Sequence, residues 1–358
     1  MKAAILEHYS APLVVREVEP LALGPHDVLV DVGASGVCHS DLSAQRGQYP
    51  FELPIVIGHE GAGTVAEVGD AVTLVRPGDK VIASFIPACG RCWQCLRDRS
   101  HLCEAGRALG GVPHVSIDGA PRKSMAGLGT MAQQMTVHES SVVKVETDLP
   151  FEQLALIGCG VTTGVGSALW AAGVVPGSTV AVFGCGGVGL STLQGAVIAG
   201  AARVIAVDLA PAKLAMARQL GATDIVDAGA GDPVEQIRAL TAGRGVDFTF
   251  EVVGRPDTMR QAYDAACRGG TVTFVGAMAS DLVLPLPAND LHSSAKRLIG
   301  SAYGSAQVRR HMPQLVALAQ TGRLDLASMV SATVPLEKVN DAFEAIESGE
   351  VVRTVLVP

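Results

Sequence analysis

The stretch Val180-Ala181-Val182-Phe183-Gly184-Cys185-Gly186-Gly187-Val188-Gly189 decides how this chain folds. Four apolar residues read as a short strand, and glycines in the spacing G-x-G-x-x-G follow at once. Residues 188–199 then read as a helix. In such a unit the first glycine makes the tight turn and the second lets backbone approach a pyrophosphate. The third lets the helix pack on the strand. The helix N-terminus offers N–H groups and a partial positive charge to the phosphates. Glycines also simply make turns, so the motif alone is weak. Asp208 gives it weight, because it ends the next strand (203–207), about twenty residues beyond the loop. A carboxylate there accepts hydrogen bonds from both hydroxyls of an adenosine ribose and repels a 2′-phosphate, which favours NAD over NADP. Lys213 is placed to add a second ribose contact. Gly184, Gly186, Gly187, Val188, Gly189, Asp208 and Lys213 thus form the expected cofactor-binding set.

The alternation continues on the C-terminal side. Residues 212–220 read as a helix, 246–253 as a strand, 258–267 as a helix and 271–275 as a strand. That order predicts an α/β domain with a doubly wound parallel sheet. The first 150 residues read instead as β-rich, with strands at 28–32, 63–69 and 80–83 bounded by turn residues. Helices at 312–320 and 339–346 are expected to return to that first domain. A chain of 358 residues suits two domains, each with its own core.

Between Glu152 and Arg203 there is no charged residue, which superficially resembles membrane sequence. The stretch holds twelve glycines, and strands of a parallel sheet buried on both faces also read as continuous apolar runs. The buried-sheet reading is preferred, and no membrane partner is expected. Residues 1–7 lack the apolar region of a secretory signal, so a cytoplasmic location is expected. The net charge of −8 argues against a nucleic-acid surface.

Four of the eight cysteines fall within fifteen residues: Cys89, Cys92, Cys95 and Cys103. Four thiolates around zinc make a closed, structural site with no room for substrate. Disulfides and an iron–sulfur cluster are the competing readings. The bacterial cluster spacing wants its fourth cysteine three residues on and followed by proline. Here seven residues separate Cys95 from Cys103, and Glu104 follows. A closed site sends the search for chemistry elsewhere, to Cys38, His59 and Cys159. Two thiolates and an imidazole leave one tetrahedral position open, as catalytic zinc needs. Spacing alone does not associate Cys159 with the other two. Cys185, in the glycine loop, and Cys267, at the end of a helix, read as small buried hydrophobes.

Taken together, the chain resembles the zinc-dependent medium-chain alcohol dehydrogenases. The match rests on Gly36-Val37-Cys38-His39-Ser40-Asp41, Gly58-His59-Glu60-Gly61-Ala62-Gly63, the four-cysteine lobe and Gly158-Cys159-Gly160-Val161-Thr162-Thr163-Gly164. The glycine loop with Asp208 and Arg353-Thr354-Val355 continue it. The likeness is greatest to the branch of glutathione- or mycothiol-dependent formaldehyde dehydrogenases and related bacterial alcohol and aryl-alcohol dehydrogenases. The resemblance implies a GroES-like catalytic domain (1–160 and 304–358, with a structural-zinc lobe at about 86–105) around a Rossmann NAD-binding domain (161–303). It implies two zinc ions: a catalytic one on Cys38, His59 and Cys159, and a structural one on Cys89, Cys92, Cys95 and Cys103, which holds a lobe rigid near a subunit interface or pocket rim.

The same resemblance assigns further roles. Asp41 orients His59, Glu60 lies behind the catalytic zinc, and His39 and Arg353 contact the cofactor pyrophosphate. Ser40 takes the alcohol proton, and Phe85, Leu128, Ala277 and Ala302 line an apolar substrate pocket. The implied reaction moves hydride between a primary aliphatic or aromatic alcohol and NAD, in a homodimer or homotetramer. One position departs: Ser43 stands where many liver-type relatives carry a histidine that passes the proton to solvent. Two other readings compete. A thiol-dependent formaldehyde dehydrogenase would use cations such as Arg107, Arg122 and Lys123. A redox sensor would bind zinc and nucleotide without catalysis.

Overall fold

The computed structural model describes residues 1–278, 282–349 and 351–358. Contacts divide the chain into two units, Met1–Gly160 with Gln307–Pro358, and Val161–Ala306. The second boundary falls three residues beyond the one expected after 303.

In the unit Val161–Ala306, six parallel strands lie in the order Asp224–Asp227, Arg203–Asp208, Thr179–Phe183, Val246–Glu251, Ala266–Phe274, Arg297–Gly300. Numbered along the chain, that is 3-2-1-4-5-6, the doubly wound arrangement for dinucleotides. Val180, Ala181 and Val182 are all 0% exposed, because helices cover both faces of a parallel sheet. The order reverses between Thr179–Phe183 and Val246–Glu251, and the glycine loop leaves the first of these two strands at its carboxyl end.

The other unit is built on antiparallel strands. Val142–Lys144, Lys80–Ala83, Gly61–Val68, Asp27–Gly36, Thr354–Val357 and Ala332–Pro335 follow one another, and Gln134–His138 also pairs with Asp27–Gly36. Only the last pair is parallel. Val28, Val30 and Val32 alternate along their strand and share one core with Val65, Val81 and Val137, the two-residue period of a half-buried strand. The C-terminal residues return to this unit through Thr354–Val357, beside Asp27–Gly36.

Two expectations need correction. The uncharged stretch after Glu152 begins not as sheet but as the helical run Phe151–Ala172. Leu154, Ile157, Val161, Val165 and Ala168 recur every three or four residues and are all 0% exposed, which is a helical period. With no charged residue after Glu152 to mark an outward face, the sequence conceals that period. The run is long and apolar enough to cross a membrane, but 78% of its most apolar window is buried inside the structure, as in a core helix. Strand begins only at Thr179–Phe183. Cys267 is the second correction: it lies in the strand Ala266–Phe274, because the helix before it stops at Ala265.

Candidate metal and nucleotide sites

Cys38, His59 and Cys159 come from three separate elements and meet as a buried cluster whose ligand atoms lie within 4.8 Å of one another. Cys38 is the N-cap of the helix His39–Gln45. His59 follows Gly58, whose φ of +103° admits no ordinary side chain and where an added Cβ would sit 2.6 Å from the Met131 amide nitrogen. Cys159 sits in the π-helical turn Ile157–Val161, a local widening that re-aims a side chain.

Asp41, itself 0% exposed, ties two of these elements together. Its Oδ2 accepts from the Cys38 amide at 2.9 Å and its Oδ1 from His59 Nδ1–H at 2.8 Å. His59 Nε2 is buried with no hydrogen-bond partner. An orphaned imidazole nitrogen facing two sulfurs fits a thiophilic divalent cation, and three donors leave a tetrahedral position open. A hydrogen bond from the Cys159 thiol, aided by Arg353, holds Cys38 well below the usual thiol range against its burial. The same bond and burial push Cys159 up. Burial opposes the His59 imidazolium, but Asp41 and Cys38 carry it above the ordinary range.

Each ligand has a neighbour in one buried network. Glu60 Oε1 accepts from the Gly160 amide at 2.9 Å, and Arg353 Nη1 donates to the Val37 carbonyl at 2.9 Å. Arg353 Nε lies 3.5 Å from Glu60 Oε2. Burial pushes the Glu60 carboxyl up to about 7 against the pull of Arg353. Arg353, expected to face a pyrophosphate, is 3% exposed with its guanidinium turned to Glu60 and Val37. Ser40 is half-buried and His39 exposed, both in the first turn after Cys38.

Of the expected pocket residues, Phe85 meets the His59 ring edge-on at 5.7 Å. Leu128 is 1% exposed within the apolar cluster against which Phe85 packs, a core position. Ala277 and Ala302 are exposed in the other unit. Tyr49 was not singled out by sequence. Burial and the Cys38 charge push its phenol up, so it lies within the field of the cluster. A tyrosine in a turn carries no ligand signature that would have revealed it.

Cys89, Cys92, Cys95 and Cys103 form a second cluster, half-buried, again within 4.8 Å. The Sγ atoms of Cys92 and Cys103 stand 4.0 Å apart. That is far beyond disulfide length and close to the ~3.8 Å edge of a tetrahedron with zinc–sulfur bonds of about 2.3 Å. Backbone N–H groups point at the sulfurs, from Cys95 to Cys92 at 3.5 Å and from Cys89 to Cys103 at 3.3 Å. Amide donors from Cys95 and Glu104 bring the Cys92 thiol down to about 6, while burial lifts Cys95 to about 12.

In the nucleotide-type unit, Gly186 caps the helix Gly187–Ile198, and a Cβ built on it meets nothing within 4 Å. That open space lies where the second glycine of the motif admits a pyrophosphate. A Cβ on Gly189 would fall 1.8 Å from the Gly184 carbonyl oxygen, so only glycine permits this approach of helix to loop. Val188 follows Gly187 in the first helical turn. Asp208 ends its strand and accepts from the Cys185 amide at 2.6 Å and the Ala210 amide at 2.9 Å. Lys213 is half-buried one turn into the next helix.

Comparison with known proteins supplies the family. Residues 24–147 match the family model of the alcohol dehydrogenase GroES-like domain, and residues 187–321 that of the zinc-binding dehydrogenase domain. A zinc-binding-domain alcohol dehydrogenase protein from Burkholderia ambifaria is 34% identical, covering 100% of this chain and 98% of its own, with a TM-score of 0.95. Benzyl alcohol dehydrogenase from Acinetobacter calcoaceticus is 31% identical over 99% and 98%, with a TM-score of 0.93. A candidate zinc-binding dehydrogenase from Sinorhizobium meliloti, solved with NADP bound, is 30% identical over 100% and 99%, with a TM-score of 0.85. The chain therefore belongs to the zinc-dependent medium-chain alcohol dehydrogenases, oxidoreductases that join a GroES-like domain to a Rossmann-type one.

Proposed function

We propose that this chain oxidises primary aliphatic or aromatic alcohols to aldehydes with NAD, and catalyses the reverse, using two zinc ions per subunit. The observation that carries the reading is the buried Cys38/His59/Cys159 cluster, with its unpartnered His59 Nε2 and its three donors. Zinc there supplies a Lewis acid for the alcohol oxygen, and nicotinamide supplies the hydride acceptor.

The chain's own residues do the rest. Asp41 holds the proton on His59 Nδ1 and so keeps Nε2 free to ligate. Ser40 is the first acceptor of the alcohol proton. Ser43 has no near-neutral pKa, so the onward route runs through His39, the cofactor ribose or water. Phe85, edge-on to His59, gives the alcohol an apolar wall. The glycine loop and its helix take the pyrophosphate, with His39 as a further contact. Asp208 and Lys213 take the ribose, and the Asp208 charge favours NAD. Cys89, Cys92, Cys95 and Cys103 hold the second, structural zinc.

The six thiols of the two clusters need reducing conditions to stay available to metal, which supports a cytoplasmic setting. A homodimer or homotetramer is the assembly proposed, to be read by sedimentation. The thiol-dependent alternative is less well supported. Arg122 is ion-paired with Glu52, and Arg107 and Lys123 are exposed.

The test is a panel of benzyl and straight-chain primary alcohols with NAD and NADP, with and without glutathione or mycothiol, on protein of measured zinc content. Thiol-independent turnover preferring NAD is expected. Absolute thiol dependence, NADP preference or absence of turnover would each overturn a named part of the reading.

A further inference from the structure

Glu251 is 0% exposed and has no part in the sites described above. It is the last residue of the strand Val246–Glu251, level with Phe183 at the end of Thr179–Phe183. Its Oε1 accepts three hydrogen bonds: from the Val253 amide at 2.9 Å, the Gly254 amide at 2.8 Å and the Thr258 hydroxyl at 2.7 Å. Its Oε2 is buried with no hydrogen-bond partner. A buried carboxylate with one oxygen unmet costs stability, so support of the sheet alone does not account for it.

The arrangement does fix a shape. Three donors converging on one oxygen fold residues 252–258 back over the strand end. That turn carries two valines against the glycine loop. A Cβ on Gly184 would fall 2.7 Å from Val253 Cγ2 and 3.1 Å from Val252 Cγ2, and a Cβ on Gly189 would fall 3.1 Å from Val252 Cγ2. The turn also abuts the loop after Ala266–Phe274. A Cβ on Gly276 would lie 2.3 Å from the Gly254 nitrogen, and one on Gly254 2.0 Å from the Ala277 carbonyl oxygen. All three loops leave the carboxyl ends of adjacent parallel strands, where open α/β sheets take their ligands.

We infer that Glu251 is a positioning residue for the dinucleotide. Through Val253, Gly254 and Thr258 it clamps the turn 252–255 against the glycine loop, in the shape that admits the nucleotide. This rests on the nucleotide reading above. The clamp needs an acceptor and not a charge: a glutamine oxygen can take the same three bonds, whereas leucine takes none.

The test is fluorescence titration of NADH into the zinc-loaded wild-type protein and the variants Glu251→Leu, Glu251→Gln and Thr258→Val. Circular dichroism and zinc content are followed alongside. Glu251→Leu is expected to raise the NADH Kd about tenfold or more, and Glu251→Gln to stay within about threefold of wild type. Wild-type affinity in Glu251→Leu overturns the inference, as does a Glu251→Gln as weak as the leucine variant. Should Glu251→Leu fail to fold, Thr258→Val decides. A Kd raised about fivefold or more supports the clamp, and one within about threefold of wild type refutes it. A wild-type chain that binds neither NADH nor NADPH overturns the nucleotide reading, and the inference falls with it.

Discussion

Replacing Asp41 by asparagine changes one atom and separates the two metal sites. Asp41 serves two buried donors with two oxygens: the Cys38 amide on Oδ2 and His59 Nδ1–H on Oδ1. Asparagine keeps one acceptor and puts an NH2 group where the other stood. If its oxygen stays on His59, the Cys38 amide faces a donor, which costs about 1–3 kcal/mol at the cap of the helix His39–Gln45. If the amide flips, His59 Nδ1 becomes the acceptor and Nε2 takes the proton, so the lone pair offered to zinc is lost. In both orientations the carboxylate charge that makes His59 a stronger base is gone. Outer partners of this kind are worth about 10–100-fold in metal affinity, or roughly 1.4–2.7 kcal/mol. The assay is chelator competition with metal analysis. One zinc of two should leave Asp41→Asn at about 10–100-fold lower chelator than in wild type. The ion on Cys89, Cys92, Cys95 and Cys103, which Asp41 does not touch, should stay. Loss of both ions together, or of neither, would refute the division of labour argued from these contacts.

Cys92→Ser should do the reverse, removing the structural ion and opening residues 86–105 to protease. Metal analysis with limited proteolysis checks this, and an intact two-zinc content contradicts it. Asp208→Asn keeps one acceptor for the Cys185 and Ala210 amides but loses the charge. The NAD kcat/KM should fall about 10–100-fold, as expected for a charged hydrogen bond, and the NADP/NAD ratio should rise. Steady-state kinetics with both cofactors reads this, and an unchanged ratio sinks the assignment. Glu60→Ala strands the buried Arg353 charge and should cost about 3–5 kcal/mol in urea unfolding. Glu60→Gln, which still accepts from Gly160, should cost less. Burial, with help from Arg310, brings His311 down to about 4. Its Nδ1 accepts from the Gln307 amide at 3.1 Å, which requires the neutral ring. The unfolded chain takes up that proton near pH ~6.5. This contribution is therefore complete above about 6.5 and is lost as pH falls toward about 4. Urea melts across that window should show the slope, and His311→Gln should flatten it.

The nucleotide unit was legible because its signals are local. A short apolar run, a glycine spacing and a carboxylate at a fixed offset all lie on one stretch of chain, and strand order follows from handedness once alternation is recognised. The residues 153–172 were not legible, because a stretch with no charged residue marks no outward face, and helix and buried strand then look alike. The candidate metal ligands were conspicuous by type. That Cys159 joins Cys38 and His59 depends on a π-helical turn, which no spacing announces. Glu251 was invisible for a related reason. Two of its three partners are backbone amides, and a backbone partner leaves no trace in side-chain identity.

Arg353 shows the same limit from the other side. The family resemblance implies a phosphate contact for it. Folded, it closes a circuit among the residues beside each member of the cluster: Val37 next to Cys38, Glu60 next to His59 and, through Glu60, Gly160 next to Cys159. A buried ion pair of this kind is weak evidence for stability, because desolvation of both charges opposes their attraction. Its value here is geometric. Three ligands from three distant segments reach one point only if their backbones are held in register, and loosely held ligands make a poor metal site. The pair Glu60–Arg353 supplies that hold with one carboxylate and one guanidinium. It draws on the segment Thr354–Val357, which the sheet already places beside Asp27–Gly36, just ahead of Cys38. The C-terminal return of the chain to its first unit is thus part of how the Cys38/His59/Cys159 cluster is assembled.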